Sequence, residues 1–174
     1  MYCEYDFLRI PIYSLDVLGK ANASHFPPGH YTYVGSALSS KGSTSLARRP
    51  VRHATRNRDK PPHLIRDNMI EQFDTVGLGP KDLLPKSGKK LFWNIDYMLD
   101  LVTAEIINII AIRSPIRLES IIAKYLEQHP ATQIIEKGLG ANDSPKNTHV
   151  LQINDEDRYW KSIADYMQSQ FIKN

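Results

Sequence analysis

The stretch Gly29-His30-Tyr31-Thr32-Tyr33-Val34-Gly35-Ser36-Ala37 decides the fold, because it joins a strand signal to a turn signal. Its centre consists of β-branched and aromatic residues, which favour a strand, and strand alternation places Tyr31 and Tyr33 on one face. Gly35 has no Cβ, so the backbone can turn tightly there or let a ligand approach closely. The sequence therefore predicts a strand whose tyrosine face lies next to the segment that follows.

That following segment is strongly basic: it reads Ser45-Leu46-Ala47-Arg48-Arg49-Pro50-Val51-Arg52-His53. Its arginines fall within about one helical turn of each other, which brings guanidinium groups near the phenol hydroxyls of the strand. Guanidinium groups hold phosphate oxygens and a phenol can relay a proton. The two segments together therefore suit a phosphodiester.

The net charge of +3 is modest, but the positive charge is concentrated in one part of the chain. The cations of that part are Lys41, Arg48, Arg49, Arg52, Arg56, Arg58, Lys60, Arg66, Lys81, Lys86, Lys89 and Lys90. A solvated basic face is one interpretation. The position directly after the tyrosine strand favours a surface for a polyanion, where phosphate contacts give sequence-independent affinity.

The bulk composition predicts one ordinary globular domain. The chain has 174 residues, 41% of them hydrophobic and 24% charged, which suffices for one sizeable core and is short for two. No apolar run reaches the length of a membrane helix, and the acidic N-terminal segment does not resemble a secretory signal. Cys3 is the only cysteine, so an internal disulfide is excluded. We expect a cytoplasmic protein with no membrane partner.

Hydrophobic periodicity and turn signals predict strands interspersed with helices, and the strands of residues 5–12 and 31–34 form an antiparallel pair with a long connection. Residues 5–12 form the first strand, with Pro11 at an edge or strand end, and residues 104–113 form a buried central strand. Residues 148–153 form the last strand. The segment 15–28 is rich in turn residues.

Helices are predicted from apolar spacing and from helix-stop signals. In residues 43–57, Pro50 leaves two alternatives: the helix starts near Pro50, or it is bent there. The other predicted helices are 64–73, 91–101 (helical or extended), 115–129 and 155–172. Residues 1–153 are expected to form the main domain, with a basic insertion at about 58–90, and residues 154–174 a C-terminal helix packed on it.

Four motifs in order resemble the Uri-type branch of the GIY-YIG nuclease superfamily over roughly residues 5–152. They are Gly29-His30-Tyr31-Thr32-Tyr33-Val34-Gly35-Ser36-Ala37, Trp93-Asn94-Ile95-Asp96-Tyr97, Leu118-Glu119-Ser120-Ile121-Ile122-Ala123, and Gly138-Leu139-Gly140-Ala141-Asn142-Asp143 with the later His149. The branch has a histidine at the position of Asn94. The resemblance implies a GIY-YIG-like fold of the α/β (α+β) class, with a small, mainly antiparallel central sheet of about three strands flanked by helices. It also implies a divalent-metal-dependent endonuclease that uses Mg²⁺ (or Mn²⁺) on DNA or structured nucleic acid. The alternative is a non-catalytic nucleic-acid-binding module that retains the fold.

The resemblance also implies the site residues. Tyr33 and Arg49 take the positions of the family's active-site tyrosine and helix arginine, and Glu119 takes that of its metal-binding carboxylate. Tyr5 corresponds to the tyrosine of the first half-motif, and His53 is a proton shuttle or a phosphate contact. The nucleic-acid-binding candidates are Lys41, Arg48, Arg52 and Arg56. Three matched positions have no assigned role: Asp96, Asp143 and His149.

Each of these side chains also has a purely structural interpretation. Tyr33 can be a half-buried strand tyrosine, and Tyr5 an ordinary strand aromatic. Glu119 can stabilise the first turn of its own helix. Asp96 can bond nearby amides. The endonuclease hypothesis requires Tyr33, Arg49 and Glu119 to meet in one open site.

Overall fold

The computed structural model describes residues 3–12, 15–18, 23–39, 41–57, 59–92, 94–114, 116–139 and 147–171. The strands are β1 (Cys3–Ile12), β2 (Leu15–Leu18), β3 (Ala23–Phe26), β4 (Gly29–Ala37), β5 (Asn108–Ser114), β6 (Thr132–Gln133) and β7 (Val150–Ile153). The helices are α1 (Arg48–His53), α2 (Ile65–Thr75), α3 (Asn94–Leu99), α4 (Glu119–Gln128) and α5 (Glu156–Phe171).

Strand β4, which contains the tyrosine motif, is the middle strand of the main sheet. The strand order is β5-β1-β4-β7-β6, and every neighbouring pair is antiparallel. Tyr33 therefore lies between Leu8 of β1 and Val150 of β7. The predicted small antiparallel α+β fold is confirmed, with five strands in this sheet where about three were expected. Strands β2 and β3 pair with each other in the segment predicted as turns.

The isoleucine-rich segment predicted as a central strand is an edge strand instead. In the described part of the chain, β5 pairs only with β1, and Ile109, Ile110 and Ile112 remain partly exposed. The run of isoleucines reflects strand propensity and packing on the faces of the sheet, which does not specify how many strand neighbours β5 has. The pairing with β5 stops at Arg9, so Pro11 lies where β1 has β4 as its only described partner, and its missing N–H breaks no β1–β5 bond.

The sheet is covered on both faces, so β4 is buried on both. Alternation sends Tyr31 and Tyr33 into one core and Val34 into the other. We call the first the α1-side core; most of its other members come from α1, α2, α3 and the segments between them, and the rest are Phe26 of β3, Val150 of β7, and Ala104 and Ile106 after α3. We call the second the α4-side core; it contains Leu118, Ile122 and Leu126 of α4 and Tyr159, Ile163 and Met167 of α5.

The predicted basic insertion is part of the α1-side core. Met69 and Phe73 of α2 are buried there together with Leu83, although these residues lie within the 58–90 segment. Helix α5 is amphipathic and buries its apolar face on the α4 side of the sheet. No helix among the described residues combines the length and the apolar character that crossing a membrane requires.

A buried hydrogen bond anchors α5 to the sheet and gives the first prediction. The hydroxyls of Thr32 and Tyr159 lie 2.7 Å apart, and both residues are buried, each only 1% exposed. Tyr159→Phe leaves the Thr32 hydroxyl without this partner and should lower the free energy of unfolding by about 1–3 kcal/mol in urea titrations. Adding Thr32→Val should restore part of that loss, since no buried hydroxyl then remains. Strictly additive losses would contradict the assignment.

Candidate functional site

The position of Pro50 in helix α1 is compatible with an intact helix. Pro50 is the third residue of the helix, within the first turn, where the backbone N–H groups have no intrahelical partner. The N–H of Arg49 donates to the Ser45 carbonyl at 2.9 Å, and the N–H of Ala54 donates to the Pro50 carbonyl at 2.8 Å. The first of the two alternatives for this segment is therefore the correct one. The short helix presents the side chains of Arg48, Arg49 and Arg52 beside β4.

Tyr33 and Arg49 meet, as the sequence predicts. A terminal guanidinium N–H of Arg49 donates to the Tyr33 hydroxyl oxygen at 3.0 Å. The pair is enclosed: Tyr33 is 3% exposed and Arg49 is 7% exposed. Gly35 explains how the ring fits, because a Cβ at that position would lie 2.8 Å from the Tyr33 hydroxyl and 2.9 Å from ring carbon Cε1. The glycine of the Tyr-Val-Gly motif therefore makes room for the tyrosine two residues earlier.

Asp96 is a buried carboxylate that joins α1 to the segment before α3. One of its oxygens accepts from Arg52 at 3.0 Å and from the Phe92 backbone N–H at 3.1 Å. The other oxygen lies 3.1 Å from Nδ1 of His53. Asp96 and His53 are fully buried. The structural interpretation of Asp96 thus describes its contacts, and we describe it as the anchor of α1.

The protonation states follow from this enclosure. Burial alone would raise the pKa of Asp96, but the hydrogen bond from His53 and the charge of Arg52 outweigh it and hold that pKa well below its usual range. Burial lowers the pKa of His53 to about 3, and the nearby charges of Arg49 and Arg52 act in the same direction. His53 is therefore neutral at pH 7 and donates its Nδ1 proton to Asp96. His53 is fully buried, so it offers no surface for a phosphate contact, and its role as a proton shuttle stays a prediction.

The Tyr33–Arg49 pair and the Asp96 anchor are parts of one network. The rings of Tyr33 and His53 meet edge to face, with centroids 6.1 Å apart and an interplanar angle of 83°. Lys89 adds a further contact, since its ammonium group donates to the carbonyl of His53 at the end of α1, at 3.3 Å. A cation at this end of a helix complements the partial negative charge of its carbonyls. The orientation of α1 is thus fixed at both ends.

A basic pocket opens beside this network. The cavity has a volume of about 470 Å³ and is lined by α1 and by the segment 83–92. Its cations are Arg48, Arg52, Lys86 and Lys90, and its apolar lining includes Phe92. No aspartate or glutamate is among the described residues that line it. We refer to this cavity as the basic pocket.

The charge of the pocket comes mainly from three side chains. The charge of Arg52 is balanced by the carboxylate of Asp96, so Arg52 lines the pocket but adds little net positive charge. Lys86 lies 3.7 Å from Asp82 in an exposed pair, which is worth little in water. Arg48 and Lys90 complete the positive lining. A small anionic group is the ligand that such a lining attracts.

Glu119 lies on the opposite side of the sheet from Tyr33. Ser36 donates to one of its carboxylate oxygens at 2.6 Å, and Nδ1 of His149 lies 3.4 Å from the other. Ser36 alternates with Tyr33 along β4, so Glu119 approaches from the α4 side while Arg49 approaches from the α1 side. The predicted meeting of Tyr33, Arg49 and Glu119 is therefore not found in their described contacts.

Glu119 has polar partners in the described structure, and its role as the carboxylate that holds a metal ion stays a prediction. Its two oxygens already contact Ser36 and His149, and Tyr33 and Arg49 are on the other face. Among the residues for which the structure gives a placement, no group of three or more His, Cys, Asp or Glu side chains could hold a metal ion. A single carboxylate together with waters and a substrate phosphate is a common way to hold Mg²⁺, and Glu119 is the carboxylate that would do so here.

The remaining candidates are distributed as follows. Arg56, expected at the nucleic-acid surface, is 5% exposed and binds the carbonyls of Pro61, Leu101 and Ala104 and the carboxylate of Glu105. Arg56 is therefore buried and not at the surface as expected, and its side chain links the loop after α1 to the segment 101–105. Lys41 is exposed and is not in the pocket lining. Tyr5 faces Ser36 and Ile112 in the strand register, and its side chain is outside the described part, as is Asp143.

Sequence reasoning missed Phe92 and did not separate Lys86 and Lys90 from the other lysines. The available signal was a Gly-Lys-Lys-Leu-Phe run that puts an aromatic residue directly after clustered cations. Its position beside Arg48 depends on the long-range contact between Asp96 and Arg52, which no local pattern reveals.

The second prediction concerns Asp96. Asp96→Asn keeps the volume of the side chain but leaves Arg52 buried without its counter-charge, so we expect a loss of about 3–5 kcal/mol in the free energy of unfolding. Asp82→Asn is the matched control, since it breaks only the exposed pair with Lys86 and should cost less than about 1 kcal/mol. Chemical denaturation of the two variants gives the comparison. Similar losses would contradict the role of Asp96 as an anchor.

The third prediction is a loss of stability in mild acid. The pKa of His53 is lowered to about 3 and that of His63 to about 4, both mainly by burial, from the ordinary value of 6.5. Between pH 6.5 and 4 the unfolded chain therefore binds more protons than the folded one, and the free energy of unfolding falls as the pH falls. The slope approaches about 1.4 kcal/mol per pH unit for each histidine.

The variant His53→Asn provides the control for that slope. Its amide can donate to Asp96 as the imidazole does, but it takes up no proton, so the share of the slope due to His53 should disappear. Lys89 does not interfere, because it stays protonated in both states below its lowered pKa of about 8. A stability that is flat from pH 7 to pH 5 would contradict the prediction.

Comparison with known proteins gives a family and no characterised relative. A family model described as "Domain of unknown function DUF123" matches residues 13–172, which include the tyrosine strand, α1, the basic pocket and Glu119. The comparisons with curated proteins and with solved structures found no significant match. Because the match extends over most of the 174 residues, the chain belongs to the family described as domain of unknown function DUF123.

Proposed function

We propose that this protein binds the phosphate backbone of a nucleic acid through the basic pocket. The observation that carries the proposal is the arrangement of Arg48, Lys86 and Lys90 around one cavity beside the Asp96 anchor. Phosphate contacts made by lysine and arginine provide most of the sequence-independent affinity for nucleic acids. The resemblance of the four ordered motifs to the Uri-type branch of the GIY-YIG superfamily supports the same class of ligand.

The position of Arg52 supports binding by a preformed surface. Its side chain is 7% exposed and is tied to Asp96, so little rotamer freedom remains for a ligand to remove. The backbone of Phe92, in the opposite wall, is tied to the same carboxylate. A pocket whose two walls are held in place loses less entropy on binding than a set of free side chains.

Hydrolysis of the phosphodiester bond is the second candidate, and the Tyr33–Arg49 contact favours it. A guanidinium can stabilise negative charge that develops on a phosphoryl group, and the phenol beside it can orient or deprotonate an attacking water. The divalent-metal-dependent endonuclease is therefore retained as a hypothesis. Binding ranks first because both side chains are nearly enclosed and Glu119 contacts the other face of the sheet.

The fourth prediction tests the binding proposal with two triple variants of equal charge change. Arg48→Ala/Lys86→Ala/Lys90→Ala removes the cations of the pocket. Arg117→Ala/Lys124→Ala/Lys161→Ala removes three exposed cations that precede or belong to α4 and α5. Each phosphate contact contributes about 0.9 to the slope of log affinity against log salt concentration, so the pocket variant should reduce that slope by about two to three.

Fluorescence anisotropy with a labelled oligonucleotide, measured in EDTA over a range of salt concentrations, provides the affinities. We expect the pocket variant to lose at least about tenfold in affinity at moderate salt and the control variant to stay near the parent protein. Equal losses in the two triple variants, or binding that does not respond to salt, would overturn the proposal.

A cleavage assay on the same preparations separates the second candidate from the first. The protein is incubated with supercoiled plasmid and with branched DNA in Mg²⁺, in Mn²⁺ or in EDTA. Metal-dependent nicking that is lost in Tyr33→Phe and Arg49→Lys supports the endonuclease, and Glu119→Gln reports whether the carboxylate on the α4 side takes part. Binding without nicking leaves the protein as a nucleic-acid-binding module.

A further inference from the structure

The basic pocket combines cations with an exposed aromatic ring, and this combination carries a narrower inference. Phe92 lines the pocket and its side chain is 62% exposed, which is unusual for a phenylalanine. Leu84 also lines the pocket and is 43% exposed. One cavity thus offers both an apolar platform and a positive rim.

The exposure of Phe92 does not result from a poorly fixed chain. The backbone N–H of Phe92 donates to the buried carboxylate of Asp96 at 3.1 Å, and α3 begins two residues later. The backbone that carries the exposed ring is therefore tied to a buried carboxylate. An aromatic ring held exposed next to lysines presents a flat face to a ligand that is both planar and anionic.

We propose that the basic pocket takes an unpaired nucleotide, with the base stacked on Phe92 and the adjacent phosphate held by Lys90, Lys86 and Arg48. This inference rests on the proposed function and names its substrate class: single-stranded nucleic acid, or an unpaired segment of a structured one. Base stacking on aromatic side chains and cations that follow the backbone are the two parts of sequence-tolerant single-strand recognition.

The chemistry of a duplex fits the pocket less well. In a duplex the faces of the bases are already stacked on each other, so a double helix can offer this cavity only its phosphates. Phe92 and Leu84 would then face charged backbone and water. The volume of about 470 Å³ is within the range of about 300–1,000 Å³ typical of small-ligand pockets, which suits one nucleotide and not a helix.

The fifth prediction compares single-stranded DNA, single-stranded RNA and duplex DNA of one length and sequence in EDTA. The parent protein should bind at least one of the single strands about tenfold or more tightly than the duplex. Phe92→Ala should weaken single-strand binding by about tenfold and leave duplex binding unchanged, and Phe92→Trp should retain single-strand binding because its ring can also stack. The two single strands distinguish DNA from RNA as the ligand.

Val102→Ala is the matched control, since Val102 is an apolar residue of similar exposure, 64%, that is not part of the pocket lining. The inference fails if Phe92→Ala leaves single-strand binding unchanged, or if it weakens single-strand and duplex binding equally. In both cases the proposed function stands as long as the triple variant Arg48→Ala/Lys86→Ala/Lys90→Ala still loses affinity. If the parent protein binds none of the three probes, both proposals fail.

Discussion

The arrangement of the whole α1 side depends on one buried carboxylate. Asp96 receives a guanidinium, an imidazole and a backbone amide, and these groups come from α1 and from the segment before α3. A carboxylate removed from water is costly unless its oxygens are satisfied in this way. Helix α1 supplies Arg48 and Arg52 to the pocket wall and Arg49 to the contact with Tyr33. Because Asp96 holds α1 in place, it also determines the position of that wall and of that contact.

The two faces of β4 explain why the candidate residues separate. Tyr33 points towards α1, where it meets Arg49 and His53, whereas Ser36 points towards α4, where it meets Glu119. Polar side chains meet on both faces of the sheet, but β4 lies between the two groups and keeps them apart. The α1 side combines positive charge with a cavity. For that reason we propose binding of a phosphate backbone ahead of hydrolysis at a three-residue site.

Sequence reasoning predicted those features of the fold that depend on local pattern. The β-branched and aromatic run predicted β4, the apolar spacing predicted α4 and α5, and the missing N–H of Pro50 limited where α1 could begin. It was wrong about β5, since the packing of apolar residues on the faces of a sheet does not reveal whether the strand has one neighbour or two. It also treated Arg56 as a surface cation, because a charge in a sequence looks the same whether its partners are phosphates or buried carbonyls.

The candidate site was only half predictable for a related reason. The Tyr33–Arg49 contact joins neighbouring segments, and the strand-to-helix order implied it. The pocket wall formed by residues 83–92 is connected to α1 through Asp96, which accepts from Phe92 four residues earlier and from Arg52 44 residues earlier. The contact with Arg52 is long-range, and Leu83 ties the same wall to the α1-side core. A basic run therefore led to the hypothesis of a polyanionic ligand, while the cavity itself required three-dimensional information.

The fit of Tyr33 over Gly35 links two positions during evolution. A side chain at position 35 would occupy the space of the Tyr33 ring, so neither position can change freely while the other is kept. A larger residue at 35 forces the buried Tyr33 ring to shift unless a smaller residue has already replaced it. Replacement at 33 before 35 therefore avoids the close contact, whereas the reverse order passes through a chain that has to accommodate it.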